Sequence, residues 1–266
     1  MWTDSDADYL RLAYPDATNR LVDIGEAVNK TQKAVQRKAE KLRIRRARLA
    51  QRTYTFDEHY FDRWSPTMAY ILGFTLADGS IDARSNKISY CLSRKDRCVL
   101  EFIQSELLLT RAISDVEVLD KRTGKYYLRS MLTFSSKVTK ESLTALGIHP
   151  RKTGTEQLPA VPQEYFGHFM RGLFDGDGTV RRCIVSITSA SEMLPKQIKA
   201  MVGFGKISQF RNRSGSTQHN WYVCRHDLRS RFYDLIYDSG WRLNRKFVKY
   251  TRSINTQLYL PSSMRP

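Results

Sequence analysis

Acidic residues are the minority among the charged residues of this 266-residue chain, which has 27 Asp and Glu against 44 Lys and Arg and a net charge of +17. A field that positive favours a polyanionic partner, either nucleic acid or an anionic membrane surface. No run of 18 apolar residues occurs, which excludes a transmembrane helix. The start of the chain, MWTDSDADYL, is too acidic and polar for a signal peptide. We therefore expect an intracellular protein, cytoplasmic or organellar, that does not cross a membrane, and of the two polyanions we expect nucleic acid and no membrane partner.

Cysteine is also scarce: the chain has four, and they form no CxxC pair. This spacing argues against a zinc site and against a disulfide framework, so we expect four reduced thiols. The apolar fraction of 41% is sufficient for a real core. A chain of this length fits one large domain or two to three small ones.

The basic residues are concentrated in two parts of the chain. Residues 33–52 contain nine Lys and Arg with Glu40 as the one acid, and residues 179–266 contain 16 Lys and Arg against four Asp and Glu. Two separate basic surfaces are predicted. The alternative is a solvated face that keeps the protein soluble, which is how most charge runs are explained.

Residues 1–46 have the pattern of a small helical unit. Thr3 or Asp4 can cap a first helix, Pro15 ends it, and Thr31 can cap a third helix that is basic. Two short helices, a polar turn and a basic third helix describe a helix-turn-helix. The pattern resembles the tri-helical DNA-binding domains of the Myb-like and helix-turn-helix superfamily.

The third helix carries the polar residue types that contact bases and phosphates. Those we expect to point outward are Gln32, Lys33, Gln36, Arg37 and Lys41. An amphipathic helix with a merely solvated basic face is the alternative explanation.

An internal duplication decides the organisation of the rest of the chain. Residues 69–80, AYILGFTLADGS, align with residues 168–179, HFMRGLFDGDGT, at a constant offset of 99 residues. After each copy the pattern predicts two strands, a helix, two strands and a helix. The fold class is therefore α+β: two pseudo-symmetric αββαββα repeats, each with an antiparallel sheet. The predicted domains are residues 1–53, with a basic linker, then 54–156 and 157–266.

Each duplicated helix has one face of very small residues. Gly73 and Ala77 are four residues apart, as are Gly172 and Gly176, and residues at this spacing share a helix face. Glycine and alanine let another backbone come close. We therefore predict that the two helices cross in close contact about a pseudo-twofold axis.

Asp78 and Asp177 end the two helices and would lie together where both helix dipoles are negative. Each carboxylate is disfavoured by the dipole of its own helix and by the other carboxylate, and a divalent cation such as Mg²⁺ would offset both effects. Carboxylates that hold metal ions against a phosphodiester support metal-assisted hydrolysis. A simple Asp-Gly turn would explain one copy but not two at a fixed offset. A calcium loop is improbable because DGDGTV lacks the Glu that would have to stand at Ser186.

With ILGFTLADG and MRGLFDGDG as its two signature motifs, the chain resembles a single-chain LAGLIDADG homing endonuclease over about residues 65–255. The resemblance implies a saddle of two sheets over DNA, a two-helix central interface and Mg²⁺ or Mn²⁺ bound by Asp78 and Asp177. It also implies that the backbone carbonyls of Ala77 and Gly176 complete the metal shell. The earlier acid of the motif is Asp175 in the second copy but Leu76 in the first, which leaves Asp175 without a symmetric role.

The family also tends to place one lysine from each half near the scissile phosphates. Lys152 and Lys246 match this position, each following the last helix of a repeat. A lysine there can stabilise charge on the phosphate or position the attacking water. The alternative is a lysine that only contacts the DNA backbone.

Strand alternation sorts the residues of the sheets into two faces. Ile88, Tyr90, Leu92, Leu128, Leu132, Phe134, Val185 and Ile187 are predicted to face the core. The residues predicted to face DNA are Lys87, Ser89, Cys91, Ser93, Tyr127, Arg129, Met131, Thr133, Arg182, Ser186, Thr188, Gln209, Arg211 and Arg213.

The resemblance implies a monomeric, metal-dependent DNA endonuclease that makes a double-strand break with short 3′ overhangs. Because the two halves differ in sequence, the target should be long and only roughly palindromic. Two alternatives stay open: an RNA maturase that binds intron RNA, and a non-cutting DNA-binding regulator.

Overall fold

The computed structural model describes residues 2–16, 19–46, 53–120, 123–181, 183–212 and 214–255. The chain divides into two units between Thr53 and Tyr54, and each unit has its own hydrophobic core. Across these described ranges, no helix is both long and apolar enough to cross a membrane. The four cysteines are free and exposed.

In its described residues the first unit contains three helices: α1 (Asp4–Ala13), α2 (Leu21–Ala27) and α3 (Gln32–Lys41). Thr3 caps α1 by accepting a hydrogen bond from the amide of Asp6, whose side chain accepts one from the amide of Thr3. Thr31 caps α3 by accepting from the amide of Ala34. The core of this unit is built from Leu10, Ala13, Ile24, Val28, Val35 and Ala39.

The turn between α2 and α3 is tight because it passes over Gly25. A methyl group on Gly25 would lie 2.6 Å from the carbonyl oxygen of Lys30. Asn29, in the same turn, has a φ of 49°, a left-handed conformation that asparagine adopts more readily than most residues. This turn therefore requires glycine at position 25 and favours asparagine at position 29.

The second unit begins with the elements of the first repeat. They are α4 (Pro66–Asp78), β1 (Gly79–Ile81), β2 (Lys87–Ser93), α5 (Arg97–Glu106), β3 (Ser114–Asp120), β4 (Lys125–Ser135) and α6 (Lys137–Ala145). The strands form one antiparallel sheet in the order β1-β2-β4-β3. The predicted αββαββα order is therefore observed.

The second repeat has the same order and the same sheet topology. Its elements are α7 (Phe166–Asp177), β5 (Gly178–Arg181), β6 (Ile184–Ser189), α8 (Met193–Val202), β7 (Lys206–Arg211), β8 (Thr217–Val223) and α9 (His226–Tyr237). The sheet order is β5-β6-β8-β7. One more helix, α10 (Asn244–Asn255), follows, and the sequence pattern does not predict it.

The two motif helices, α4 and α7, pack against each other along their glycine faces, as predicted. A methyl group on Gly73 would lie 2.9 Å from the amide nitrogen of Leu173, and one on Gly172 would lie 2.9 Å from the amide nitrogen of Phe74. Each would be closer still to a carbonyl oxygen of the facing helix. The helices therefore meet backbone to backbone, which only glycine allows at these two positions.

The core lies on both sides of this helix pair, between the helices and the inner faces of the two sheets. In the first repeat Tyr90 and Phe134 are fully buried, and in the second Trp221 and Phe232 are. The side-chain oxygen of Thr75 on α4 lies 2.7 Å from the hydroxyl of Tyr90 and so ties helix to sheet. This packing holds the ends of α4 and α7 in place.

Gly172→Ala should destabilise the protein by about 1–3 kcal/mol, because the added methyl group forces α4 and α7 apart. Helix propensity alone would favour alanine over glycine by about 0.5–1 kcal/mol, so the steric effect has to exceed this gain. Urea unfolding followed by circular dichroism measures the difference. Ala200→Val on the exposed surface of α8 is the control and should change stability by less than about 0.5 kcal/mol. Stability equal to wild type for Gly172→Ala would contradict the close helix contact.

Candidate active site and nucleic-acid interface

Asp78 and Asp177 lie next to each other, because α4 and α7 end side by side. A methyl group on Gly176 would lie 3.3 Å from Oδ2 of Asp78, so Asp78 reaches across to the last turn of the opposite helix. Asp78 is exposed and Asp177 is half-buried. The structure thus brings together the two aspartates that the duplicated motif singles out.

The electrostatic environment of the two carboxyl groups is unfavourable. Loss of hydration, together with the neighbouring carboxylate of Asp78, raises the pKa of Asp177 to about 7. Loss of hydration also raises the pKa of Asp78. Both carboxyl groups stand at helix C-termini, where the dipole disfavours negative charge. This part of the molecule therefore favours a bound positive charge.

Two lysine ammonium groups supply part of that positive charge. Nζ of Lys152 donates to the carbonyl oxygen of Ala77 at 3.1 Å, and Nζ of Lys246 donates to the carbonyl oxygens of Phe174 and Gly176, both at 2.8 Å. Each lysine therefore contacts the carbonyl just before the aspartate of its own repeat. Burial lowers the pKa of Lys152 and lowers that of Lys246 to about 8.

The oxygen atoms at this place suit a hard divalent cation. Two carboxylates and the carbonyls of Ala77 and Gly176 are the ligand types that Mg²⁺ prefers. In the described part of the chain, no group of three or more His, Cys, Asp or Glu side chains could hold a metal ion. A cation bound by Asp78 and Asp177 would therefore need carbonyl, water or phosphate oxygens to complete its shell.

Sequence patterns do not reveal the ion pair that stands beside this site. Arg245, at the start of α10, donates two hydrogen bonds to Asp96 of the first repeat, at 2.5 and 2.6 Å. Both residues line, with Asp78 and Gly176, a cavity of about 310 Å³. The pair joins residues 149 positions apart, and no periodicity links them. Only the fold reveals this pair, because it brings Arg245 at the start of α10 next to Asp96 of the first repeat.

In the first sheet the predicted alternation holds over most of its length. Lys87 pairs with Ser135, Ser89 with Thr133 and Ser93 with Arg129, which places these residues on the face opposite the buried Tyr90. Cys91, Tyr127 and Met131 share that face. Leu128 is a correction: we expected it in the core, but it is 45% exposed, because the end of the β3–β4 hairpin extends beyond the helices.

The second sheet requires two corrections. Gln209 pairs with His219 and Arg211 with Thr217, so both share the face of the buried Trp221 and lie opposite the face that carries Ser186 and Thr188. The strand register places Lys206, Ser208 and Phe210 on that face instead. Alternation in β7 is weak because the strand is exposed on both faces, so its sequence pattern did not indicate the side.

Ser186 is the second correction. It shares a face with Thr188, but only 8% of its surface is exposed, which leaves little for a partner to contact. Arg182 and Arg213 lie outside the described residues.

In the first unit, the five residues singled out on the third helix are exposed. Gln32, Lys33, Gln36, Arg37 and Lys41 are on the outside of α3, while Val35 and Ala39 are buried against the other two helices. The helix therefore presents a polar, basic face, as the pattern predicts.

The second unit consists of two αββαββα repeats. Their motif helices pack through glycine faces and end in adjacent aspartates, and this combination characterises one family of proteins. Residues 65–141 and 165–237 match the LAGLIDADG-like domain, and the two segments are more than half of the chain. This protein belongs to that family.

A curated relative is the replication factor C small subunit of Methanocaldococcus jannaschii, which is 24% identical over 232 residues. The match covers 80% of this chain but only 12% of that protein.

A solved structure shows the same fold. The homing endonuclease I-WcaI, bound to its DNA recognition sequence, aligns with a TM-score of 0.50 and 11% identity over 73% of this chain and 91% of its own. Full-length WhiA from Thermatoga maritima aligns with a TM-score of 0.46 and 17% identity over 77% of this chain and 66% of its own. At such low identity, the likeness to I-WcaI shows the fold alone.

Asp177→Asn should make the protein more stable at pH 8 in the presence of a chelator. The folded-state pKa of about 7 lies above the ordinary value of 3.8, so the folded protein binds the proton more tightly and wild-type stability falls as the pH rises between these values. Asparagine removes this penalty. We expect the melting temperature at pH 8 to rise by about 2–4 °C for each kcal/mol of stability that the substitution adds. At pH 5 the substitution adds less stability, so the total rise should be smaller.

Calorimetry at the two pH values provides the test. Asp234→Asn, on the exposed face of α9, is the matched control and should shift the melting temperature equally little at both. An equal gain for Asp177→Asn at pH 5 and pH 8 would contradict a raised pKa.

Proposed function

We propose that this protein is a site-specific DNA endonuclease that hydrolyses both strands of a duplex with the help of divalent metal ions. The observation that carries the proposal is the juxtaposition of Asp78 and Asp177 at the adjacent ends of α4 and α7, each with a lysine on the preceding carbonyl. A purely structural role would not favour paired carboxylates at two helix C-termini.

Mg²⁺ or Mn²⁺ would be held by the carboxylates of Asp78 and Asp177 and by the carbonyl oxygens of Ala77 and Gly176. When bound, such an ion polarises the scissile phosphate and lowers the pKa of a water molecule. Each aspartate serves one strand, in keeping with the pseudo-twofold relation of the two repeats. Lys152 and Lys246 lie close enough to these ligands to stabilise negative charge that develops on the phosphate.

The proposed partner is double-stranded DNA. The net charge of +17 supports binding to a polyanion, and the sheet face with Lys87, Ser89, Tyr127 and Arg129 offers residue types that contact bases and phosphates. The two repeats differ in sequence, so one monomer would recognise a long target whose halves are only roughly palindromic. By the family resemblance the products have short 3′ overhangs.

The three-helix unit is proposed as a second DNA-binding module. Its α3 exposes Lys33, Arg37 and Lys41 on one side. A basic helix of this kind, preceded by a tight turn, can contact base edges and phosphates. It would add affinity or lengthen the target beyond the part that the two sheets contact.

Asp78→Asn and Asp177→Asn should each reduce double-strand cleavage by at least about a hundredfold while DNA affinity changes little, because each removes a metal ligand. A library of randomised duplexes with Mg²⁺ would first identify the target, and a single-turnover cleavage assay on that duplex then measures the rates. Asp234→Asn on α9 makes the same charge change outside the site and should cut at the wild-type rate. Normal cutting of both strands by either site variant would refute the assignment.

Removing residues 1–53 should weaken DNA binding and shorten the protected footprint, while the remaining unit still cuts. In the full-length protein, Lys33→Ala and Arg37→Ala should weaken binding in the same direction. Each should make the fall of log K with log salt less steep, by about one unit of slope, if it removes one phosphate contact. Lys196→Ala on α8 is the control. Unchanged affinity and footprint after the deletion would contradict the second module.

Two other outcomes would favour the alternatives. Tighter binding to structured intron RNA than to duplex DNA would favour a maturase. Specific DNA binding without cleavage, in the presence of either Mg²⁺ or Mn²⁺, would favour a non-cutting regulator.

A further inference from the structure

Asp175 is the acid that the first copy of the motif lacks, and the structure shows what it contacts. Only 2% of its surface is exposed. Its Oδ2 accepts hydrogen bonds from the amide of Leu243 at 2.7 Å and from the hydroxyl of Tyr70 at 3.0 Å. Its Oδ1 lies 3.4 Å from the hydroxyl of Tyr237, which donates to it. A buried carboxylate with three donors from three separate elements is a specific arrangement.

The contact with Leu243 matters because α10 begins at the next residue. The first amides of a helix have no acceptor within the helix, and for the buried start of α10 the side chain of Asp175 supplies one. The carbonyl oxygen of Leu243 in turn accepts from the amides of Lys246 and Phe247. Asp175 therefore holds the residue from which the first turn of α10 is built.

Lys246 lies in that first turn and returns to the same stretch of α7. Its Nζ donates to the carbonyl oxygens of Phe174 and Gly176, the residues on either side of Asp175. Three consecutive residues of the motif helix thus contact the start of α10, one through its side chain and two through their carbonyls. The contacts form a closed ring between α7 and α10.

Arg171, one helical turn before Asp175, holds the segment that leads into α10. Its guanidinium donates to the carbonyl oxygen of Ile236 at 3.0 Å and also to that of Ser239. Further along, Trp241 stacks on Phe102 of the first repeat, with 4.4 Å between ring centroids. The segment before Lys246 is therefore fastened at several points, among them Asp175 at Leu243 and Asp96 at Arg245.

We propose that Asp175 is a positioning residue: by accepting the amide hydrogen of Leu243, it sets the start of α10 so that Lys246 stays on the carbonyl oxygens next to Asp177. The effect on cleavage rests on the proposed function, but the effect on α10 does not.

The first repeat explains why this acid is needed only once. Its equivalent, Leu76, is 2% exposed and belongs to the hydrophobic core. The lysine of the first repeat, Lys152, follows α6 in a stretch without helix or strand and contacts a single carbonyl, that of Ala77. Lys246 instead stands in a helix whose first turn must be placed correctly, and that requires an acceptor for Leu243.

Amide hydrogen exchange in the full-length protein, without DNA or metal, tests the contact itself. In wild type the Leu243 amide should be protected although it precedes the helix. In Asp175→Leu, which introduces the residue of the first repeat, it should exchange at least about tenfold faster. Asp175→Asn keeps an acceptor oxygen, and Tyr237→Phe removes only the longest hydrogen bond, so both should stay within about threefold of wild type.

Strand-specific cleavage tests the role of the contact. Asp175→Leu should slow one strand by about tenfold to a hundredfold, the strand that Lys246→Met also slows, and the other strand by less than about threefold. Because Asp175 acts through Lys246, the double variant should be no slower than Lys246→Met alone. A carboxylate that serves only stability would slow both strands equally or add to the effect of Lys246→Met.

The two measurements separate the failure of this inference from that of the proposed function. An unprotected Leu243 amide in wild type, or unchanged exchange in a folded Asp175→Leu, overturns the inference whether or not the protein cuts DNA. Altered exchange with an unchanged strand ratio also overturns it and leaves the nuclease proposal standing. If Asp175→Leu does not fold, two other measurements decide. The inference requires that the Leu243 amide is protected in wild type and that Asp175→Asn keeps the wild-type strand ratio, and failure of either overturns it.

Discussion

The backbone contact between α4 and α7 is the constraint on which the rest of the second unit depends. At Gly73 and Gly172 there is no room for a methyl group, so the two helices approach more closely than side chains normally allow. That approach puts the ends of both helices side by side and brings Asp78 next to Asp177. It also places the first sheet against α4 and the second sheet against α7. A wider crossing would separate the aspartates and leave two ordinary Asp-Gly turns.

The close approach of the helices brings two carboxylates together, and the residues that supply compensating positive charge are held in place differently in the two repeats. Two carboxylates share a region where both helix dipoles are negative, and loss of hydration raises the pKa values of both. One lysine from each repeat contacts the preceding carbonyl, so the positive charge is supplied symmetrically. The supports of the two lysines differ, because Lys246 stands in a helix that Asp175 holds at its start, whereas Lys152 has no such helix. The pseudo-symmetry of the motifs therefore does not extend to their surroundings.

Sequence alternation predicted the faces of the strands well where a strand is covered on one side and poorly where it is not. In β2 the apolar residues mark the core unambiguously, and the observed face is the predicted one. In β7 both faces are exposed, so the side of Gln209 and Arg211 follows only from pairing with β8. The prediction that Leu128 faces the core is wrong for a related reason. Leu128 lies near the tip of a hairpin, where an apolar residue can extend past the core.

The sequence by itself determined the duplication, the element order of both repeats, the glycine faces and the paired aspartates. All of these are local or repeated patterns, and a 99-residue offset makes them visible without a structure. The tertiary structure alone decided which residues from distant segments meet, such as Arg245 with Asp96 and Asp175 with Leu243. Such pairs have no periodicity, because they depend on where the packed fold places the start of α10. The physical reason is that local pattern specifies elements, whereas long-range contacts arise only after those elements have packed.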